Sequence, residues 1–186
     1  MKTRTINPWL QTLDNRKFDL LNPDSRDVSL EVIATVLSRI PRFGGHTKEF
    51  YSVAQHSVLV ANLVSYEMAP YGLLHDAHEV YSGFGDVCSP AKQLAQGIAV
   101  VESRIQVAIA EQFGLSCKLF YTDEILDADI KALATEARDL LGRPPKPWID
   151  MPEPCDFQIR PCGIEETRTL FLKEAERCRL INEKVL

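Results

Sequence analysis

The sequence predicts an all-α protein, because apolar residues recur at helical spacing along most of the 186 residues and no alternating strand pattern persists. Hydrophobic residues make up 45% of the chain and charged residues 25%, which is typical of a soluble globular protein. The length suits one domain, so residues 1–186 are interpreted as a single domain.

The first elements are predicted from turn residues and a short apolar cluster. The stretch to about residue 27 is polar, and its prolines and asparagines indicate turns. Phe18, Leu20 and Leu21 are expected to form a short extended segment that packs on the core. A first helix follows over 30–40, with Asp27 or Ser29 as its N-cap, and Pro41 ends it.

Helical periodicity also predicts the remaining elements, which Pro and Gly residues separate. The predicted helices cover residues 52–68, 71–83, 92–114 (as one or two helices) and 123–141. A proline-rich loop at 142–154 then precedes an amphipathic C-terminal helix within 163–186.

Composition excludes several classes of protein. The net charge of −5 argues against binding to polymeric nucleic acid, which needs clustered Lys and Arg, but it allows a small phosphorylated substrate. Five cysteines without CxxC spacing indicate reduced thiols rather than a disulfide framework or a zinc finger. No signal-peptide pattern and no run of about 18 apolar residues occurs, so we expect a cytoplasmic protein without a membrane partner.

The candidate chemistry lies in histidines and carboxylates on separate predicted helices. His56 lies on one of these helices, the pair His75-Asp76 on the next, and Asp129 on a later one, on or beside its buried stripe. A buried carboxylate is costly unless it is paired or bound to a metal. Two imidazoles and two carboxylates suit Mn, Co, Fe, Ni or Zn, and four ligands leave room for water and a phosphate oxygen.

This ordered set resembles the HD-domain metal-dependent phosphohydrolases, whose signature is H…HD…D on a helical bundle. The stretch HDAHEVYSG…D…SPAK is similar to HDxxE…GD…P…K of the bacterial 5′-deoxynucleotidases. The runs RFGGHTKEFYSVAQHS and LDADIKALATEARDL also resemble that subgroup and its phage and prophage relatives. The resemblance spans roughly residues 17 to 142 and implies an HD-domain helical bundle.

The resemblance implies a role for each matching residue. The implied metal ligands are His56, His75, Asp76 and Asp129. Glu79 matches the acidic residue one turn after the His-Asp pair, on the same helical face, and would act on the attacking water or the leaving oxygen.

The implied substrate contacts lie in the loops around these helices. Arg42 matches an arginine that holds the 5′-phosphate, and Phe43 lies where the best-known deoxynucleotidases carry Trp beside the sugar. Asp86, after a loop at 83–86 that is two residues longer than in the subgroup, and Lys92 match residues near the substrate. His46 lies in the loop of Arg42 and would add positive charge.

Structural roles are predicted for four other residues. His78 is interpreted as structural or exposed, and Trp148 as a packing residue. Glu136 and Arg138 are expected to form ion pairs on a helix surface, with Arg138 lining the site as the alternative.

The predicted function is metal-dependent hydrolysis of a phosphate ester on a deoxynucleotide, first of all a 5′-deoxynucleotidase that converts a dNMP to deoxynucleoside and phosphate. The alternative on the same fold is a dNTP triphosphohydrolase, for example one that converts dATP to deoxyadenosine and triphosphate. A non-catalytic nucleotide-sensing or partner-binding helical module is the alternative of another class. The resemblance also implies a homo-oligomer.

Overall fold

A computed structural model of the chain describes residues 8–148 and 151–181, and these residues are mostly helical, as predicted. Parts of three predictions lie outside the described residues. These are positions 1–7 of the polar N-terminal stretch, 149–150 of the proline-rich loop and 182–186 of the C-terminal helix.

Two short strands cover one end of the helical core. β1 (Trp9–Gln11) and β2 (Lys17–Asp19) pair antiparallel, with Leu10 opposite Phe18. Phe18 is fully buried and stacks on Tyr81, with ring centroids 4.4 Å apart. The extended segment predicted around Phe18 is therefore confirmed, and it packs on the core.

The helices follow one another in chain order and are joined by short connections. They are α1 (Leu30–Leu37), α2 (Val53–Leu63), α3 (Ala69–Leu74), α4 (Glu79–Ser82), α5 (Ser89–Leu94), α6 (Gly97–Gln112), α7 (Asp123–Glu136) and α8 (Ile164–Arg177). A π-helical turn, Ala137–Leu141, extends α7. Ser29 is the N-cap of α1, as one of the two predicted alternatives, and Ser52 is the N-cap of α2.

Helix α2 lies at the centre of the fold and packs against α3, α7 and α8. Gly72 makes the contact with α3 close, since a Cβ atom on this residue would lie 3.0 Å from the backbone of Ala61. The absence of a side chain at this position lets the two helices approach. This packing brings the residue that follows α3, His75, next to His56 on α2.

Four predicted helices have different bounds in the structure. The predicted helix 30–40 ends at Leu37. The predicted helix 71–83 is interrupted by a turn at 75–78, and the segment 92–114 is divided into α5 and α6. The turn forms because two histidine side chains compete with backbone N–H groups for helix carbonyls. Nδ1 of His75 lies 2.7 Å from the carbonyl of Gly72, and Nδ1 of His78 lies 3.1 Å from the carbonyl of His75. Helix α2 ends at residue 63, because Val64 is extended and the next N–H donates to a glutamate of α7.

The chain before α8 is attached to α2 through one side chain. Gln55 donates from Nε2 to the carbonyl of Arg160 at 2.7 Å and accepts from the N–H of Cys162 at 3.0 Å. Helix α8 then packs on α1 and α2 through the buried Phe171. Within 8–148 and 151–181, none of the helices has the length and apolar character needed to cross a membrane.

Candidate metal centre

The four predicted ligands converge from three elements of the fold. Nε2 of His56 on α2 lies 3.2 Å from Nε2 of His75, in the turn after α3, and 3.1 Å from Oδ1 of Asp129 on α7. Oδ2 of Asp76 lies 3.3 Å from Nε2 of His75 and 3.6 Å from Nε2 of His56. Two imidazole nitrogens and two carboxylates therefore surround one point between the helices.

The other nitrogen of each imidazole is held by an acceptor, which determines the tautomer. Nδ1 of His75 must donate to the Gly72 carbonyl, and Nδ1 of His56 lies 2.7 Å from Oε1 of Glu136. Both Nε2 lone pairs are then directed at the shared point. Metal-binding histidines are oriented in this way, with the distal N–H donated to a carbonyl or carboxylate.

The donor set fits a divalent transition ion. One ligand atom each from His56, His75 and Asp129 lies within 4.8 Å of the others, so these side chains could hold a metal ion, and Asp76 faces both imidazoles. Imidazole with carboxylate suits Mn, Co, Fe, Ni or Zn. His56 is fully buried, whereas the side chain of Asp129 is 40% exposed, so the point is open to solvent on the α7 side.

Electrostatic interactions in the cluster are strong. Burial and Arg42 lower the pKa of His56, but the carboxylates of Glu136 and Asp129 outweigh them and raise it to about 10. Burial raises the pKa of Asp76, but the neighbouring histidines and Arg42 outweigh it and hold the pKa well below the usual value. The carboxylates therefore favour positive charge at the two imidazoles, which a divalent ion would supply.

Glu136 is part of the centre, which the sequence interpretation missed. It was predicted on a helix surface, and this is wrong: Glu136 is fully buried, and its Oε2 lies 3.4 Å from Nη2 of Arg42. The sequence contained one usable signal, because Glu136 follows Asp129 by two helical turns and lies on the same face of α7.

Arg138 lies in the π-helical turn after α7 and holds the chain that follows the proline-rich loop. Its guanidinium donates to the carbonyls of Cys155 at 2.7 Å and Phe157 at 2.6 Å, besides pairing with Asp139. Arg138 therefore forms an ion pair, as predicted, but its partner is Asp139.

Arg42 reaches the centre, and carboxylates of the chain surround its guanidinium. Nη1 lies 3.2 Å from Asp86 and 3.7 Å from Asp76, and Nη2 contacts Glu136. Nε of Arg42 is buried without a hydrogen-bond partner among the described residues. Burial lowers the pKa of Arg42, but Glu136 and Asp76 outweigh this effect and raise it, so the group stays charged.

The loop after Arg42 has a left-handed backbone held by Asp86. Phe43 has a φ of +56°, and its N–H donates to Oδ2 of Asp86 at 2.7 Å. Such a conformation costs a non-glycine residue about 1–3 kcal/mol, so the Asp86 bond offsets strain. The Phe43 ring lies 5.3 Å from Cζ of Arg42. The ring of Trp148 lies 6.5 Å from that of Phe43, so Trp148 packs against it, as expected of a packing residue.

Glu79 begins α4 beside the centre. It is 3% exposed, and its Oε2 has no hydrogen-bond partner within the described part of the chain. Burial raises the pKa of Glu79 well above the usual value, and the charges of Asp76 and Asp86 raise it further.

The other residues considered in the sequence analysis lie at different distances from the centre. Nζ of Lys92 pairs with Oε1 of Glu102 at 3.0 Å, close enough to Asp76 for their charges to interact. The side chain of His46 is exposed and makes no ion pair or side-chain hydrogen bond with the described residues. Nδ1 of His78 lies 3.3 Å from Oε1 of Gln106, which fits the structural alternative.

One of two relatives places the chain in a protein family. Over 134 residues it is 40% identical to a protein of Escherichia coli with the name "Uncharacterized protein YfdR", and the match covers 71% of this chain and 72% of the relative. The chain belongs to the YfdR family. A second relative, "Uncharacterized protein RCAP_rcc00048" of Rhodobacter capsulatus, is 35% identical over 121 residues, which cover 60% of this chain and 61% of that protein.

No model of a known protein family matches the chain. Neither relative carries an activity in its name.

Proposed function

We propose that the chain is an HD-type metal-dependent phosphohydrolase that acts on deoxynucleotides, first of all as a 5′-deoxynucleotidase. The observation that supports this proposal is the convergence of His56, His75, Asp76 and Asp129, with both imidazole Nε2 atoms directed at one point. A divalent ion bound there would supply Lewis acidity towards a phosphoryl oxygen and a water of lowered pKa.

In this proposal, Glu79 supplies the proton that the leaving 5′-oxygen takes up. Its carboxyl is buried, and burial and the charges of Asp76 and Asp86 raise its pKa, which favours the protonated form. A carboxylic acid with a raised pKa suits a general acid that protonates the 5′-oxygen as the phosphate leaves. The balanced reaction takes a dNMP and one water to deoxynucleoside and phosphate.

Arg42 and Phe43 support a nucleotide as the substrate. The guanidinium of Arg42 lies 3.7 Å from Asp76, so it can hold a phosphate close to the metal ligands. The Phe43 ring borders the guanidinium and offers an aromatic wall to the sugar or base.

A dNTP triphosphohydrolase is the second candidate, because the same centre would cleave the same bond and release triphosphate. We rank it lower, because Arg42 and Lys92 already pair with carboxylates of the chain, and binding three phosphates would require more of these pairs to be broken than binding one. A non-catalytic nucleotide sensor would bind the substrate without turnover, and the assay below separates it from both enzymes.

The deciding experiment is a product assay on metal-stripped protein that has been reloaded with Mn²⁺ or Co²⁺. We expect inorganic phosphate from dNMPs, whereas triphosphate from dNTPs alone would identify the second candidate. His75→Ala should lose both metal and turnover and keep its helical circular dichroism. His46→Ala removes an exposed histidine outside the cluster and should keep the metal. Near wild-type turnover in His75→Ala, or no hydrolysis with either ion, would refute the proposal.

A further inference from the structure

We propose that a second divalent cation binds beside the first, held by Asp76, His78 and Glu79, with Asp76 shared between the two ions. The proposed function needs one ion, at the two imidazoles of His56 and His75, and the second site goes beyond it. The three side chains come from the turn after α3 and the first residue of α4.

The geometry of these three side chains fits one ion. One ligand atom from each lies within 4.8 Å of the other two. Oδ2 is the oxygen of Asp76 that faces His56 and His75, and a carboxylate has a second oxygen, which can bind a second ion. Hydrolases with two metals hold them about 3.5–4 Å apart, a spacing that a shared carboxylate can span.

Two of the ligand atoms are buried without partners. Nδ1 of His78 faces two oxygens, the His75 carbonyl at 3.1 Å and Oε1 of Gln106 at 3.3 Å, so Nδ1 carries the hydrogen and Nε2 offers a lone pair. Nε2 of His78 and Oε2 of Glu79 are both buried and have no hydrogen-bond partner among residues 8–148 and 151–181. Buried lone pairs without a donor are costly, and a cation between them removes that cost.

The net negative charge around the centre also favours binding of a second cation. The structure gathers six carboxyl groups and two permanent cations among the described residues. With all six ionised, as Glu79 would be when it binds the ion, one divalent ion would leave an excess of two negative charges beside a phosphate substrate. A second divalent ion would bring the centre to neutrality. The carboxylates are Asp76, Glu79, Asp86, Glu102, Asp129 and Glu136, and the cations are Arg42 and Lys92.

Lys92 and Glu102 border the second site from α5 and α6. Oε2 of Glu102 lies 3.6 Å from Nε2 of His78, and its Oε1 contacts the Lys92 ammonium. This ammonium opposes a cation at the second site, so its removal should strengthen binding there. With the ion bound through one oxygen of Glu79, the other oxygen can accept a proton from the attacking water and pass it to the leaving 5′-oxygen.

The test counts ions in the full chain. Protein stripped with EDTA is dialysed against Mn²⁺ alone, and bound manganese is measured by elemental analysis and by electron paramagnetic resonance. We expect two Mn²⁺ per chain with a spin-coupled spectrum, because Asp76 joins the ions. His78→Ala should bind one Mn²⁺ with an uncoupled six-line spectrum, and the control His46→Ala should bind two. One Mn²⁺ per wild-type chain at saturation, or two in His78→Ala, would overturn the proposal.

A second variant leaves all three ligands in place, so its effect on binding does not depend on a ligand substitution that could disturb folding. Lys92→Met should lower the dissociation constant of the second Mn²⁺ about tenfold, since it removes the adjacent positive charge; an unchanged or higher constant would contradict the second site. Failure of the two proposals is distinguishable. One Mn²⁺ with dNMP hydrolysis refutes only the second ion, whereas two Mn²⁺ without hydrolysis refutes only the function.

Discussion

Oε1 of Glu136 lies 2.7 Å from Nδ1 of His56, and neither side chain is exposed to solvent. The carboxylate fixes the imidazole in the orientation that presents Nε2 to the metal ligands, and it also contacts Arg42. Glu136 would therefore act on a bound metal through His56 rather than by binding the metal itself.

Glu136→Gln should weaken metal binding, because an amide supports the imidazole less well than a carboxylate. Loss of such an outer partner typically lowers metal affinity 10- to 100-fold. The measurement is the Mn²⁺ dissociation constant by chelator competition. Glu124→Gln makes the same chemical change at an exposed position of α7 and should leave the constant unchanged. A change of less than twofold in Glu136→Gln would show that the contact does not support the metal.

Arg42→Ala should destabilise the fold, since it leaves Asp86 and Glu136 buried without their cation. Breaking a buried ion pair on one side typically costs about 3–5 kcal/mol. Urea unfolding followed by circular dichroism measures the loss, and Arg42→Lys should recover only part of it. Arg39→Ala, at an exposed position near the end of α1, is the control. Equal stabilities of Arg42→Ala and Arg39→Ala would mean that the carboxylates find other partners.

Glu79→Gln should slow hydrolysis and keep the ion at His56 and His75. Positioned acid–base groups typically contribute about 10²–10⁴-fold to the rate. Single-turnover hydrolysis of a dNMP at saturating Mn²⁺ measures the chemical step. Glu67→Gln, an exposed substitution before α3, should be silent. An unchanged rate in Glu79→Gln would exclude the proton-transfer role.

Tyr81 should make the fold sensitive to alkali. Its hydroxyl accepts the N–H of Ser29 at 3.0 Å, and burial raises the pKa of Tyr81 to about 12, although the Ser29 bond lowers it. The folded state thus favours the neutral phenol, and as the pH rises from about 10, the unfolded chain ionises first. Stability is lost up to pH 12, by about 2–3 kcal/mol.

Unfolding free energies measured from pH 9 to 12 test this expectation. Tyr81→Phe should lack that part of the loss, and Tyr66→Phe, at a half-exposed tyrosine, should retain it. Parallel curves for Tyr81→Phe and the wild type would contradict the assignment.

The four candidate ligands were expected from the resemblance to the H…HD…D signature rather than from any single local pattern. The structure brings their side chains together, so that they could hold a metal ion. Glu136 could not be found in this way, since a glutamate on a helix usually faces water and only its distance of two turns from Asp129 indicated otherwise.

Contacts between loops that lie far apart in the sequence produce no local sequence pattern from which they could be predicted. The bond from the Phe43 N–H to Asp86 joins positions 43 residues apart. It depends on a left-handed backbone at an aromatic residue, which sequence preferences disfavour. The break at 75–78 was missed for a related reason, because His75 and His78 bond backbone carbonyls that a continuous helix would use.

Gln55 connects the centre to the C-terminal part of the fold. It precedes His56 on α2, and its amide makes both bonds to the chain just before α8. An ion bound at a concentration 100 times its dissociation constant adds about 2.7 kcal/mol to the native state. Part of that gain should reach α8 through Gln55, so amide protons of α8 should exchange with solvent more slowly when metal is present. The C-terminal helix would then report, from outside the centre, whether the centre is loaded.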